Sequence, residues 1–373
     1  MLQLADPQRE HEALRDAIES AALRALRSGH YILGPEVEAF EKEFATYCAV
    51  HSAVGVSNGS DAIVVALQAL GIGPGDEVIT TALSYLATAS AIHRTGATPV
   101  FADIDLDTFD IDPREVANKL TPRTRAIVAV HLYGRCADTD ALGTIARDAK
   151  LALVEDAAQA CGAERNGRKT GTLGTVACYS FFPAKPFGAA GDGGACATND
   201  AALADTMRKV RITGAVAKNV HELPGGNYRL DPLQAAILRA KLPHLEARLA
   251  KRRRHAEMLR AGLAGASPAL VLPTDDDRGR HVYAQFTVRH PRRDELQRAL
   301  RARDIASEVY YPIPMPYQKV FASLGHKAGE FPRAEQACRE VLSIPVHSEL
   351  EEADVARVIE ATRDAVREIE SRA

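Results

Sequence analysis

From residue 73 onward, short apolar runs alternate with segments whose apolar residues recur at helical spacing. The pattern predicts strands at 78–80, 98–102, 126–131, 151–155, 175–182 and 194–198, with helices at 85–94, 113–120 and 140–149 between them. Strands and helices taking turns in this way argue for an α/β chain whose mostly parallel sheet is covered on both faces. Such sheets receive ligands beyond the carboxyl ends of their strands. Upstream, residues 12–29 have helical spacing, and Gly34-Pro35 opens a second helix with Val37, Phe40 and Phe44 on one face. A short strand from Val54 runs through Ser57-Asn58-Gly59-Ser60 into a helix over 63–70. After Asp231-Pro232 the pattern is helical for roughly seventy residues, through Leu245 and Met258. A smaller α+β unit follows, with a strand at 281–288, a helix at 294–302, a strand at 307–311 and helix over most of 351–369. Two domains are expected: residues 1–245, large and α/β with N-terminal helices, and residues 246–373, small and α+β.

Composition narrows the class. The 373 residues are 46% hydrophobic and 25% charged, enough for a sizeable core. A net charge of -3 provides no global field for nucleic acid or an anionic membrane. The basic run Lys251-Arg252-Arg253-Arg254 lies among helix formers and reads as a solvated helix face. The six cysteines are scattered without a C-x-x-C pair, which points away from zinc and from a disulfide framework and towards a reducing compartment. The N-terminus carries Asp6, Arg9, Glu10 and Glu12 rather than an apolar leader, and no run reaches membrane-spanning length. A cytoplasmic enzyme without a metal is expected. The first strand-helix turn has no G-x-G-x-x-G, against a nicotinamide site.

The candidate chemistry gathers at the predicted strand ends. Lys185 stands between an apolar strand and the glycine-rich turn Gly188 to Gly194. Desolvation there would lower its pKa and free its amine to condense with an aldehyde. Glu155-Asp156-Ala157-Ala158-Gln159 puts a carboxylate, and an amide one helical turn later, at the mouth of the sheet. Gly59 and Ser60 open a helix whose amides can receive a phosphate, Ser180 adds a hydroxyl, and Tyr85 adds a ring for stacking. Pyridoxal 5'-phosphate asks for this set: an amine for its aldehyde (Lys185), an anion beside the pyridine nitrogen (Asp156), a donor to the ring oxygen (Gln159), phosphate donors and a flat neighbour. Taken singly, each residue has an ordinary reading as a loop lysine, a helix cap or a turn.

Asp156-Ala-Ala-Gln159, Ser180-Phe-Phe-Pro-Ala-Lys185-Pro-Phe-Gly188 and Gly191-Asp-Gly-Gly194 together resemble the DegT/DnrJ family of nucleotide-sugar aminotransferases. Tyr31 to Val37, Asn58 to Ala62, Val130 to Gly134, Asn227 to Ala236 and Leu342 to Val346 extend the resemblance over nearly the whole chain. It implies the aspartate aminotransferase fold (fold type I). It also implies a homodimer with shared active sites, in which Asn227 reaches the phosphate of the neighbouring subunit's cofactor. Arg229, Tyr310 and Tyr311 would then lie near the substrate. The implied reaction moves an amino group from L-glutamate to a keto group of a nucleotide-linked sugar. A UDP-linked 2-acetamido-3-oxo sugar, often a hexuronate, for polysaccharide or O-antigen synthesis is the first reading, and a dTDP-linked 3-keto or 4-keto deoxysugar the alternative. A non-catalytic regulator on this fold would be expected to lose Lys185 or Asp156. Two departures stand out: Met315-Pro316 replaces a Leu-His pair common among relatives acting on 3-keto sugars, and Ser60 replaces a threonine.

Overall fold

A computed structural model describes residues 1–274 and 278–372. Its strands up to residue 198, in chain order, are β1 (Ser52–Val56), β2 (Glu77–Thr81), β3 (Thr98–Ala102), β4 (Thr124–Val130), β5 (Ala152–Asp156), β6 (Glu164–Arg165), β7 (Arg168–Lys169), β8 (Val176–Ser180) and β9 (Gly194–Thr198). Seven of them form the central sheet in the order β1-β9-β8-β5-β4-β2-β3. All pairings are parallel except those of β9, which runs antiparallel to both β1 and β8. The chain is therefore α/β with a mostly parallel sheet, as the alternation predicts. The carboxyl ends of β1, β2, β4, β5 and β8 open on one edge, beside the start of β9.

Alternate side chains leave the sheet on opposite faces, and each face has its own core. Val54, Val154 and Cys178 pack with Ile63, Leu67 and Met207, under the helices Gly59–Ala69 and Ala201–Val210. On the other side Ala53, Ala177, Tyr179 and Ala197 pack with Phe40 and Phe44 of the Pro35–Cys48 helix and Leu238 of the Pro232–Lys241 helix. Both of these helices begin on the proline expected at a first turn. The C-terminal core joins the helices Leu245–Leu263, Arg293–Arg301 and Glu352–Glu370 to an antiparallel strand pair, Phe286–Arg289 with Val341–Ile344, through Leu259, Phe286, Leu296, Leu342 and Val358.

Three expectations need correction. The helical stretch after Asp231 ends at Leu263, where Ala264-Gly265 and then Pro268 interrupt the pattern. Residues 307–311 form no strand; Glu308 alone bridges Ser343, and Pro312 has no N–H to continue a ladder. The strand expected at 281–288 shortens to Phe286–Arg289, because the backbone of Val282 and Gln285 is taken up by Gly134 and Tyr133. Among the described residues no helix is long and apolar enough to cross a membrane.

Candidate active site

Lys185 sits on a loop closed at both ends. Phe181 and Phe187 flank it, fully buried, with their rings edge-on at 5.4 Å, and Phe181 meets Phe40 and Phe44 in the same way. Each such pair adds about 0.5–1.5 kcal/mol beyond its burial. The Phe181 N–H donates to Gly193 O at 2.8 Å, and the Ala189 N–H donates to Phe181 O at 2.7 Å. The Lys185 N–H donates to Phe182 O at 2.8 Å, and the Lys241 ammonium grips Gly188 O. At Gly188 a Cβ would stand 2.6 Å from Pro183 O, so only glycine lets the loop fold back so closely. This frame holds the lysine amine in the cavity, where burial lowers its pKa and the Asp156 charge opposes that shift.

Asp156 ends β5. Its Oδ2 accepts from Thr88 Oγ1 at 2.7 Å and its Oδ1 from the Ala158 N–H at 3.1 Å. Burial pushes this carboxyl up, while the Thr88 and Ala158 donors and the Lys185 charge pull it back down. Gln159 is fixed at both ends of its amide: Oε1 accepts from the Tyr133 N–H at 2.7 Å, and Nε2 donates to the Tyr311 hydroxyl at 3.1 Å. Tyr133 holds a left-handed backbone, φ 58°, and its own hydroxyl donates to Tyr310 O. Tyr85, largely exposed, tilts against Tyr311 with ring centroids 5.9 Å apart.

The third wall is the start of the Gly59–Ala69 helix. Asn58 Oδ1 caps the Asp61 N–H at 2.8 Å, and Asn58 O takes the Ala62 N–H. The amides of Gly59 and Ser60, the first two of the helix, have no acceptor in a preceding turn. A Cβ on Gly59 would come within 2.6 Å of Ser180 Cβ, so glycine is what seats the helix end on β8. A Cβ on Gly194 would lie 2.5 Å from Asn58 O, which makes the same demand from β9.

One cavity of about 590 Å³ is lined by Gly59, Ser60, Tyr85, Asp156, Gln159, Ser180, Lys185, Tyr310 and Tyr311 together. Asn227 and Arg229 do not line it. Asn227 is exposed, and Arg229 bridges Val56 beside the end of β1. Sequence reasoning missed Thr88, Tyr133 and Arg94. Thr88 lies one helical turn after Tyr85, and that spacing was the available signal for it. Tyr133 acts through its backbone, which a side-chain motif does not reveal. The six cysteines are buried and free, and no group of His, Cys, Asp and Glu suited to a metal occurs among the described residues.

Residues 12–363 match the model of the DegT/DnrJ/EryC1/StrS aminotransferase family. The chain is 48% identical over 356 residues to a pleiotropic regulatory protein of Geobacillus stearothermophilus, covering 95% of this chain and 96% of that protein. It is 46% identical to a dTDP-3-amino-3,4,6-trideoxy-alpha-D-glucose transaminase of Streptomyces venezuelae, covering 95% and 93% of the two chains. Identity to a UDP-2-acetamido-2-deoxy-3-oxo-D-glucuronate aminotransferase of Pseudomonas aeruginosa is 40%, covering 95% and 98%. Among solved structures, S. venezuelae DesV superposes with a TM-score of 0.95 at 45% identity, covering 97% of this chain and 98% of that one. NtdA from Bacillus subtilis with bound cofactor PMP superposes with a TM-score of 0.92 at 30% identity, covering 98% and 85%.

Proposed function

We propose a function from one premise: the chain belongs to the DegT/DnrJ/EryC1/StrS aminotransferase family and is an aminotransferase. It uses pyridoxal 5'-phosphate to carry an amino group from L-glutamate to the keto group of a nucleotide-linked sugar. The observation that carries this reading is the meeting, in one cavity, of the Lys185 amine, the buried Asp156 carboxylate and the helix start at Gly59 and Ser60.

These residues fit the cofactor. Gly59 and Ser60 offer two N–H donors within reach of the Ser180 hydroxyl, in a corner that a single methyl on Gly59 would fill; that chemistry suits a phosphate. The Asp156 carboxyl, its pKa raised by burial and drawn part of the way back by the Thr88 and Ala158 donors, suits a cationic ring nitrogen. When bound, the cofactor supplies an aldehyde that captures amines and a ring that draws electrons from the carbon next to the captured nitrogen. Lys185, its pKa lowered by burial, would hold that aldehyde through its Nζ. From the same place in the cavity its Nζ would take up and return the proton as general base and acid. Asp156, held by Thr88 and Ala158, would face the ring nitrogen, and Gln159 is held for donation by Tyr133. Tyr85 is read as the flat group against the ring, and Tyr310 and Tyr311 as lying near the substrate.

The substrate is read as a UDP-linked 2-acetamido-3-oxo sugar; the P. aeruginosa relative's name supports this. A second reading, a dTDP-linked keto deoxysugar, is favoured by the higher identity to the S. venezuelae transaminase, 46% against 40%. Arg229 is the candidate for gripping a carboxylate of glutamate or of a uronate. Asn227, exposed and outside its own chain's cavity, fits a role across a homodimer.

Glutamate is expected to convert the visible band of the holoprotein, and a keto sugar nucleotide to restore it. A panel of UDP and dTDP 3-keto and 4-keto sugars then names the substrate; no response to glutamate overturns the catalytic reading and favours a regulator. Lys185→Ala should abolish turnover, and borohydride labelling of any other lysine would refute its role. Mixed dimers of Lys185→Ala and Asn227→Ala chains should regain one working site if Asn227 acts in trans, and no rescue in proven hybrids would place it in its own chain's site.

A further inference from the structure

Beside the Gly59–Ser60 corner stands a carboxylate that a phosphate would find repulsive. Asp61 also lines the cavity, next in sequence to Ser60. Its Oδ2 accepts from Ser57 Oγ at 2.5 Å and Asn58 Nδ2 at 2.9 Å, which fixes the side chain at the helix start. These neutral donors hold the carboxylate without cancelling its charge. The remaining oxygen, Oδ1, lies 2.9 Å from Arg94 Nη1, and Arg94 closes the Ala87–Arg94 helix and lines the same cavity. Because Thr88 on that helix holds Asp156, a single short element serves both the ring end and the phosphate end of the cavity.

We infer that Arg94 is a positioning residue for the phosphate site: it neutralises Asp61, so that Asp61 can brace the helix start without repelling a dianion bound at Gly59, Ser60 and Ser180. The inference rests on the cofactor reading above. Two like charges a few ångströms apart at a partly buried site interact strongly enough to shift an affinity by on the order of tenfold. A helix-end dipole and two amides attract the dianion, and a bare carboxylate beside them would subtract from that attraction. Arg94 acts through Asp61 and its removal should be felt only when Asp61 is charged.

The test is a titration of apoprotein with pyridoxal 5'-phosphate, followed by visible absorbance, and in parallel with pyridoxal, which lacks the phosphate. Arg94→Gln is expected to weaken pyridoxal 5'-phosphate binding about tenfold and to leave pyridoxal binding within error. Asp61→Asn should bind at least as well as the parent, and the double variant should return to the parent's affinity. Inorganic phosphate, measured as a competitor, should follow the same order. A double variant as weak as Arg94→Gln overturns the inference and makes Arg94 either a direct ligand or a fold contact; melting curves of the apo variants separate those two. Arg94→Gln binding as tightly as the parent also overturns it. Failure of the parent to form a visible band with pyridoxal 5'-phosphate would instead overturn the cofactor reading itself.

Discussion

Glu155 and Asp156 are neighbours at the end of β5, and they leave the sheet on opposite faces. Both are buried carboxylates, yet they are treated differently. Glu155 is saturated: Oε1 accepts from the N–H groups of Leu173 at 2.9 Å and Gly174 at 2.8 Å, and Oε2 from Gly171 at 3.1 Å and His131 Nε2 at 3.0 Å. The His131 tautomer follows from its other nitrogen, Nδ1, which accepts from the Ala137 N–H at 3.1 Å. Asp156 has two donors, faces a cavity, and has its pKa raised by burial. Saturation marks the carboxylate that ties the 171–174 loop to the sheet. Incomplete pairing marks the one kept for a ligand's charge.

The comparison breaks or holds on a pair of amide substitutions. Asp156→Asn should keep the fold and cost kcat on the order of 10² or more, with little change in cofactor affinity, because the lost charge matters most in the transition state. Glu155→Gln should do the reverse, since its new amide group would face a backbone N–H where an acceptor is needed. A loss of about 3 kcal/mol in unfolding free energy is expected, with kcat of the folded fraction near the parent's. If Glu155→Gln costs kcat as heavily as Asp156→Asn, the two carboxylates do not divide the work in this way.

A smaller effect should come from Thr88. Among the described residues its hydroxyl is one of two donors to Asp156, so Thr88→Val leaves the carboxylate less firmly ionised and free to turn. An activity loss of roughly tenfold is expected, with the acid limb of the kcat profile moved to higher pH. Thr88→Ser should recover the parent's profile. A loss in Thr88→Val without movement of that limb would mean the threonine serves packing alone.

Thr88 also shows where the sequence stops being legible. Lys185, Asp156, Gln159, Gly59 and Ser180 lie within short motifs at strand ends, and local pattern is enough to point at one edge of a sheet. Thr88, Arg94 and Tyr133 matter because of partners 68, 33 and 26 residues away, and apart from the spacing of Thr88 from Tyr85 nothing beside them in the chain marks those pairings. The alternation of 73–198 was legible because each element carries its own periodicity. The strand expected at 281–288 was not, because the backbone groups of Val282 and Gln285 are paired by the distant residues Gly134 and Tyr133 rather than by a regular ladder of their own.

The least of the expected effects is on the stability of the apoprotein, and it tests whether Asp156 and Lys185 are poised at the fold's expense. Burial raises the Asp156 pKa in the folded chain above its unfolded value near 3.8. Its contribution to stability is therefore complete below pH 3.8 and is lost as pH rises through the folded pKa. Lys185 runs the other way, with a folded pKa depressed below 10.5. Its contribution is complete above pH 10.5 and is lost as pH falls through the folded pKa. Between the two folded pKa values both charged groups weigh against the fold, offset in part by their attraction for each other. Asp156→Asn should thus flatten the fall in apoprotein stability on the acid side, and Lys185→Met the rise on the alkaline side. Urea titrations across pH, on apoprotein alone, measure both slopes. Glu155→Gln should lower the whole curve instead, having removed a satisfied group rather than a strained one. Unchanged slopes in the first two variants would show that the cavity does not tax these charges, and that the contrast with Glu155 is one of position alone.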